Sequence, residues 1–327
     1  MITENSDALP SVDCYWNPGA ETVREKLKQR TLHQISEASG TLRHVFGRLA
    51  KSTVGILTYH RITDSINGVP FPAINVTPTR FRSHLEGLQR AGFRFESLSK
   101  VLAVQEASRP LPERTVVITF DDIYDNVFQN AWPVLREMKI PATCFISTAF
   151  VDTTQPFLFD PWAREHRGRI PTDTWKPITS QHLTEMMDTG LVELGAHTHT
   201  HQDFRDSPEA FATDLATGIQ ELKTKFGVSG LPFAFPYGSP RMGFCNSELM
   251  KAVKVAGLRC GLSTESRTNS MTSSPFGWGR FHVFEHDTPQ SLASKLDGYY
   301  EWLPRLKNRF TSGHNSSQTQ LFTESSV

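Results

Sequence analysis

The sequence predicts an α/β fold, a distorted and incomplete (β/α) barrel of about seven parallel strands. Three observations predict it. Short apolar runs recur along the chain, several of them continuous rather than alternating, as in strands buried on both faces. Between them lie segments that carry helix start and stop residues. The polar residues suited to chemistry follow directly on the apolar runs, where parallel α/β folds gather their ligands.

The runs are VGILTY (54–59), FRFESL (93–98), TVVITF (115–120), ATCFIS (142–147), LVELGA (191–196), LPFAF (231–235), LRCGLS (258–263) and RFHVF (280–284). Helical segments are predicted at TPTRFRSHLEGLQRAG, YDNVFQNAWPVLREMK, SPEAFATDLATGIQELKTKFG, NSELMKAVKVAG and TPQSLASKLDGYYEWLPRL. Thr77, Ser207 and Asn246 stand where a side-chain oxygen accepts the free N–H groups of a first turn. Gly92, Gly227 and Gly257 stand where a left-handed exit is needed. Repeated strand–helix units imply a parallel sheet. One segment breaks the rhythm: residues 151–178 hold Pro156, Pro161, Pro171 and Pro177 together with Trp162 and Trp175. It reads as an irregular insertion of the kind that covers a cleft. The catalytic domain is expected over 54–310. A disordered stretch 1–20 and a helical segment 21–53 precede it, and a polar disordered tail 311–327 follows.

Composition narrows the function classes. The chain of 327 residues is 38% hydrophobic and 21% charged, with 34 basic residues balancing 34 acidic ones. That is a globular composition with no broad field to draw it onto nucleic acid or an anionic membrane. The four cysteines, Cys14, Cys144, Cys245 and Cys260, form no CxxC pair, which argues against a disulfide framework or a thiolate metal site. Met1–Arg30 has no apolar signal core, and no apolar stretch approaches a membrane span. The expected location is cytoplasmic.

Four motifs carry chemistry. TFDD (119–122) sets two carboxylates at the end of an apolar strand, an arrangement that calls for a cation or solvent unless an aspartate of the motif merely caps the next helix, near Tyr124. LGAHTHTH (194–201) sets His197, His199 and His201 after another strand; the four-residue spacing of His197 and His201 can aim both imidazoles at one ion, with His199 turned away. The glutamate of the HExxH pattern is absent, since Thr198 stands there. FAFPYG (233–238) suggests a sharp turn at Pro236 and Gly238 that can present a backbone N–H to an oxyanion, or an ordinary loop. TYHRI (58–62) delivers His60 to the same end of the sheet, where it is either functional or a satisfied buried histidine.

TFDD, HTHTH and FPYG, in this order, resemble the polysaccharide deacetylase family, carbohydrate esterases that share the NodB homology domain. The resemblance spans approximately residues 54–305. It implies removal of N-acetyl or O-acetyl groups from a polysaccharide or amino-sugar glycan. Asp121 is then the base, Asp122, His197 and His201 hold one divalent ion, and Tyr237 lends its backbone N–H to the oxyanion. Zinc is the first expectation for the ion, with cobalt, nickel and manganese as alternatives. There are departures. Ile123 follows the Asp pair where the family often has Gly, Phe233 and Ala234 stand where many members carry an arginine, and no late Leu-x-His motif is evident. The TYHRI and FPYG forms look more like the poly-N-acetylglucosamine deacetylase branch, which gives the general-acid role to His60, in competition with His282 and His286. Trp162 or Trp175 is expected in the cleft wall, as an aromatic surface for sugar faces, unless both simply anchor the loop, with Pro236 and Gly238 beside the substrate. The partner implied is an acetylated carbohydrate. Two other readings stay open: a non-catalytic carbohydrate-binding protein on the same fold, and an iron oxygenase with two histidines and one carboxylate.

Overall fold

The computed structural model describes residues 52–72 and 74–299. The expected tail 1–20, nearly all of the helical segment 21–53, the tail 311–327 and Cys14 lie outside the described residues. The strands are β1 (Thr53–Tyr59), β2 (Arg61–Ile62), β3 (Asn75–Val76), β4 (Arg94–Phe95), β5 (Thr115–Phe120), β6 (Ala142–Ile146), β7 (Val192–Ala196), β8 (Gly261–Leu262), β9 (Asn269–Ser270), β10 (Phe276–Trp278) and β11 (Phe281–His282).

The main sheet runs β11-β1-β5-β6-β7, all parallel. Its curve continues by single bridges from Ala196 to Phe233 and from Ala234 to Leu262 in β8, which pairs with β10. Every residue of β5 and β6 is buried, as their unbroken apolar sequences require of strands covered on both faces. Among the described residues no ladder joins β10 to β11, so the barrel stays open at this seam. One strand departs from the expected direction: β9 pairs antiparallel with the start of β1.

Four predicted strands shrink. FRFESL keeps only Arg94–Phe95, LRCGLS keeps Gly261–Leu262, RFHVF keeps Phe281–His282, and LPFAF contributes single bridges rather than a strand. Pro232 and Pro236 bracket that last run, and a residue without an N–H cannot sustain a ladder. The helices Pro78–Arg90, Ser247–Val255 and Pro289–Leu296 are capped by the side chains of Thr77, Asn246 and Thr288. Helix Pro208–Phe226 exits through Gly227 in the left-handed conformation, but Ser207 makes no side-chain cap. The segment after β5 opens as a wide π-turn, Val127–Ala131, before the α-helix Trp132–Met138. Pro133 explains the widening, since it lacks an N–H and its ring crowds the preceding turn. The irregular segment 151–178 contains a short helix, Pro161–His166, capped by Asp160. Cys144, Cys245 and Cys260 are free and buried. Among the described residues no helix is long and apolar enough to cross a membrane.

Register fixes the site. Tyr59 lies opposite Phe120, Phe120 opposite Cys144, Ile146 opposite Ala196, and Thr58 opposite His282. Parallel strands in such register end together, so His60, Asp121, His197 and His282 leave the sheet on one rim.

Candidate active site

At this rim the chain turns sharply, and it does so on unusual backbone. Asp122, Ile123, Thr198, His201 and Tyr237 all have positive φ, between 57° and 65°. Non-glycine residues avoid that region unless the surroundings impose it, and such strain gathers at functional sites.

The turn at Asp122 sends two neighbouring carboxylates to different partners. Asp121 meets Arg280, which lies between β10 and β11. Nη1 donates to Oδ1 at 2.6 Å and Nη2 donates to Oδ2 at 2.8 Å, with the guanidinium wholly buried. Burial by itself would raise the Asp121 carboxyl; the Arg280 charge, seconded by His197, overrides it and holds the group well below the usual carboxylate range. Asp122 has no such partner. Its Oδ1 lies 3.3 Å from Nε2 of His201 and 3.6 Å from Nε2 of His197, and no hydrogen bond reaches it although it is buried. Burial first, and the Asp121 charge second, push the Asp122 carboxyl up to about 8. Burial also lowers both histidines, which makes them neutral lone-pair donors rather than countercharges. One oxygen and two imidazole nitrogens within 4.8 Å of one another, buried and without a compensating cation, fit a divalent metal ion.

The two histidines are oriented differently. Nδ1 of His197 donates to the Ala234 carbonyl at 2.8 Å, which fixes the tautomer and leaves the Nε2 lone pair facing Asp122. His201 sits at the end of a loop pinned by Asp214, whose carboxylate accepts from the backbone of His199 and Thr200 and from the Thr200 hydroxyl at 2.6–3.1 Å. The His201 ring is stacked on Phe159, centroids 3.8 Å apart, and meets the edge of Tyr237 at 4.8 Å. His199 turns away from the rim, its Nδ1 2.8 Å from the Thr148 hydroxyl.

His60 and His282 stack on one another with centroids 5.5 Å apart, and both line the cavity. Burial lowers them to about 3 and about 4, against the pull of the nearby Asp121 charge. His286 is exposed and stacks on Phe284. In the FPYG turn Gly238 has φ +58°, and a Cβ there would meet Thr264 Cγ2 at 2.7 Å, so the tight turn needs glycine. Neither Gly238 nor the buried Pro236 lines the cavity, whereas Tyr237 does. The Tyr237 N–H donates to no described residue.

The cavity over these groups measures about 350 Å³. Tyr124, Phe159, Tyr237, Phe244 and Phe284 give it an aromatic wall. The two tryptophans expected there are elsewhere. Trp162 donates Nε1–H to the Pro70 carbonyl at 2.7 Å and packs with Ile170 and Trp175 in a separate cluster. The Trp162 ring anchors the insertion, because a large ring with one polar atom is best buried where that atom finds a partner, and Trp175 packs against that cluster. The insertion reaches the cavity through Phe159, Asp160 and Pro161 instead. Sequence reasoning also missed Arg280; the signal was a lone arginine at the head of an apolar run, RFHVF.

Residues 108–261 match the family model of polysaccharide deacetylase. Over that segment the chain is similar to polysaccharide deacetylases. The matched segment takes in Asp121, Asp122, His197, His201 and Tyr237 and leaves His60, Arg280 and His282 outside it. The chain is 27% identical over 236 residues to a poly-beta-1,6-N-acetyl-D-glucosamine N-deacetylase of Staphylococcus aureus (strain MRSA252), covering 69% of this chain and 73% of the relative. The enzyme of that name from Staphylococcus epidermidis is 25% identical over 270 residues, 77% of this chain and 86% of its own. Among solved structures, IcaB from Ammonifex degensii superposes with a TM-score of 0.61 at 23% identity, covering 75% of this chain and 98% of that one. The last likeness establishes the shared fold.

Proposed function

We propose that this deacetylase hydrolyses the N-acetyl groups of a poly-β-1,6-N-acetylglucosamine type of glycan with the help of one divalent ion. The observation that carries the reading is the buried, unpartnered Oδ1 of Asp122 facing two neutral imidazoles, beside a carboxylate already neutralised by Arg280. The names of the staphylococcal relatives support the substrate class.

Asp122, His197 and His201 hold the ion. When bound, such an ion acidifies a water and polarises the acetyl carbonyl, and zinc suits the mixed oxygen and nitrogen donors best. Asp121 takes the water proton. Arg280 keeps Asp121 ionised and fixes the direction of its free lone pairs. The Tyr237 N–H, without an internal acceptor, is available to the oxyanion. His60 gives a proton to the leaving amine. Burial holds His60 neutral in the free cavity, so the proton it gives is the one Asp121 takes from the water, passed to His60 during turnover and then to the amine.

Acetate release from an N-acetylated β-1,6-glucosamine polymer tests the reading. Release should stop on chelation and return with zinc. His201→Ala should lose most of the bound metal together with activity. Full stoichiometric metal in that variant would remove His201 from the ligand set. A metal-loaded wild type that binds the polymer without releasing acetate would favour the carbohydrate-binding alternative.

A further inference from the structure

A metal-binding histidine is ordinarily oriented by a hydrogen bond at its other ring nitrogen. His197 has that bond, to the Ala234 carbonyl. His201 does not: its buried Nδ1 has no partner in any other described residue. It also carries the rarer backbone, φ +57°, at the end of a loop. Its ring nevertheless needs a fixed orientation to aim Nε2 at Asp122. What touches the ring is aromatic, with Phe159 on its face at 3.8 Å and 23° and Tyr237 edge-on at 4.8 Å.

Phe159 is not held by the loop's own backbone alone. The next residue, Asp160, is buried and accepts from three directions. Its Oδ1 takes the Ala163 N–H at 3.0 Å, its Oδ2 takes the Tyr124 hydroxyl at 3.0 Å, and it is paired with the buried guanidinium of Arg61. Arg61 in turn lies 4.0 Å over the Tyr124 ring and 4.9 Å from the Trp162 ring, and its Nε donates to the Thr174 carbonyl at 2.9 Å. Four points of the structure, three of them in the insertion 151–178, thus converge on one arginine that directly follows His60.

We propose that Phe159 is the positioning residue for His201, clamped by the Arg61–Asp160 pair, so that the insertion sets the affinity of the metal site. The stacked ring does for His201 what the Ala234 carbonyl does for His197: it restricts rotation about the Cβ–Cγ bond and excludes water from the ring face. This rests on the reading that Asp122, His197 and His201 hold an ion. It also explains why an insertion whose tryptophans are buried away from the cavity still belongs to the site.

The test is the zinc dissociation constant of the full chain, measured by competition with a chromophoric chelator, for the wild type, Phe159→Leu and Phe159→Tyr. Phe159→Leu keeps the apolar volume and loses the ring. It should weaken zinc binding about tenfold or more, the usual cost of removing a group that orients a ligand. Phe159→Tyr keeps the ring and should bind within about threefold of the wild type. The melting temperature of each metal-free protein reports folding separately, and the cobalt(II) visible spectrum should change for the leucine variant alone. Should Phe159→Leu fail to fold, Phe159→Met carries the same comparison. Wild-type affinity in a folded leucine or methionine variant would overturn the inference, as would an equal loss in Phe159→Tyr. A wild type that takes up no stoichiometric zinc, cobalt, nickel or manganese would instead overturn the metal site itself.

Discussion

Asp121 and Asp122 share a peptide bond, yet Arg280 grips both oxygens of the first while the second faces two imidazoles that burial keeps neutral. One carboxylate is supplied with its cation by the chain and the other is left to take one from solution. The same buried rim therefore holds a permanent anion and an anion that is stable only when something binds. The division falls at the left-handed backbone of Asp122, and both side chains still line one cavity. The difference teaches that adjacency in sequence does not imply a shared role: the charge of the first carboxylate helps to keep its covalent neighbour from ionising without a cation.

The largest break in this comparison is Arg280→Ala. It leaves Asp121 ionised and buried without a partner, a loss of about 3–5 kcal/mol. Urea denaturation should show it, with acetate release abolished, and an unchanged midpoint would mean that Asp121 is not held by Arg280. Next comes Asp121→Asn. The amide keeps the shape but cannot take a proton, so the rate should fall at least about a hundredfold while bound metal stays stoichiometric. Loss of metal and rate together would mean that the two aspartates have exchanged roles. A narrower effect is expected at His60. His60→Ala should slow hydrolysis of an amide about a hundredfold and largely spare an activated aryl acetate, whose leaving group needs little protonation. Exposed His286→Ala should leave both rates unchanged; the reverse pattern transfers the acid role to His286. His282→Ala, on the ring stacked against His60, tells whether the pair acts together.

The smallest effect sharpens the contrast. With its carboxyl raised to about 8, Asp122 binds a proton more tightly folded than unfolded. The metal-free protein should therefore be stabilised at acid pH, losing stability as pH climbs from the ordinary carboxylate range towards about 8. Asp122→Asn removes this titration, so the metal-free variant should melt higher than the metal-free wild type at pH 8. Melting temperatures across that range, with chelator present, decide it; equal values would mean that Asp122 is compensated without a metal.

Much of this site was legible because its parts are local. TVVITF is an unbroken buried strand and LVELGA is interrupted only by Glu193, and the residues placed on the rim follow them directly, so register brings Asp121 and His197 to one rim, on either side of β6. Arg280 was not legible, since its partner is 159 residues away and the strand it precedes is two residues long. The tryptophans misled for a related reason. Composition shows that the insertion is aromatic, but which ring faces the cavity depends on where the Trp162 N–H finds its acceptor, at Pro70, 92 residues earlier. Phe159 has no such polar atom to satisfy and is the ring left to face His201.

Ile123, finally, stands where the family often has glycine, fully buried and at φ +59°. A β-branched residue in that conformation costs about 1–3 kcal/mol. Exchange for glycine would relieve the strain but empty a packed position, at about 2–5 kcal/mol. The second quantity exceeds the first, so the exchange for glycine is uphill. Ile123 acts as a ratchet: with the core closed around the larger side chain, glycine fits only if neighbours enlarge at the same time.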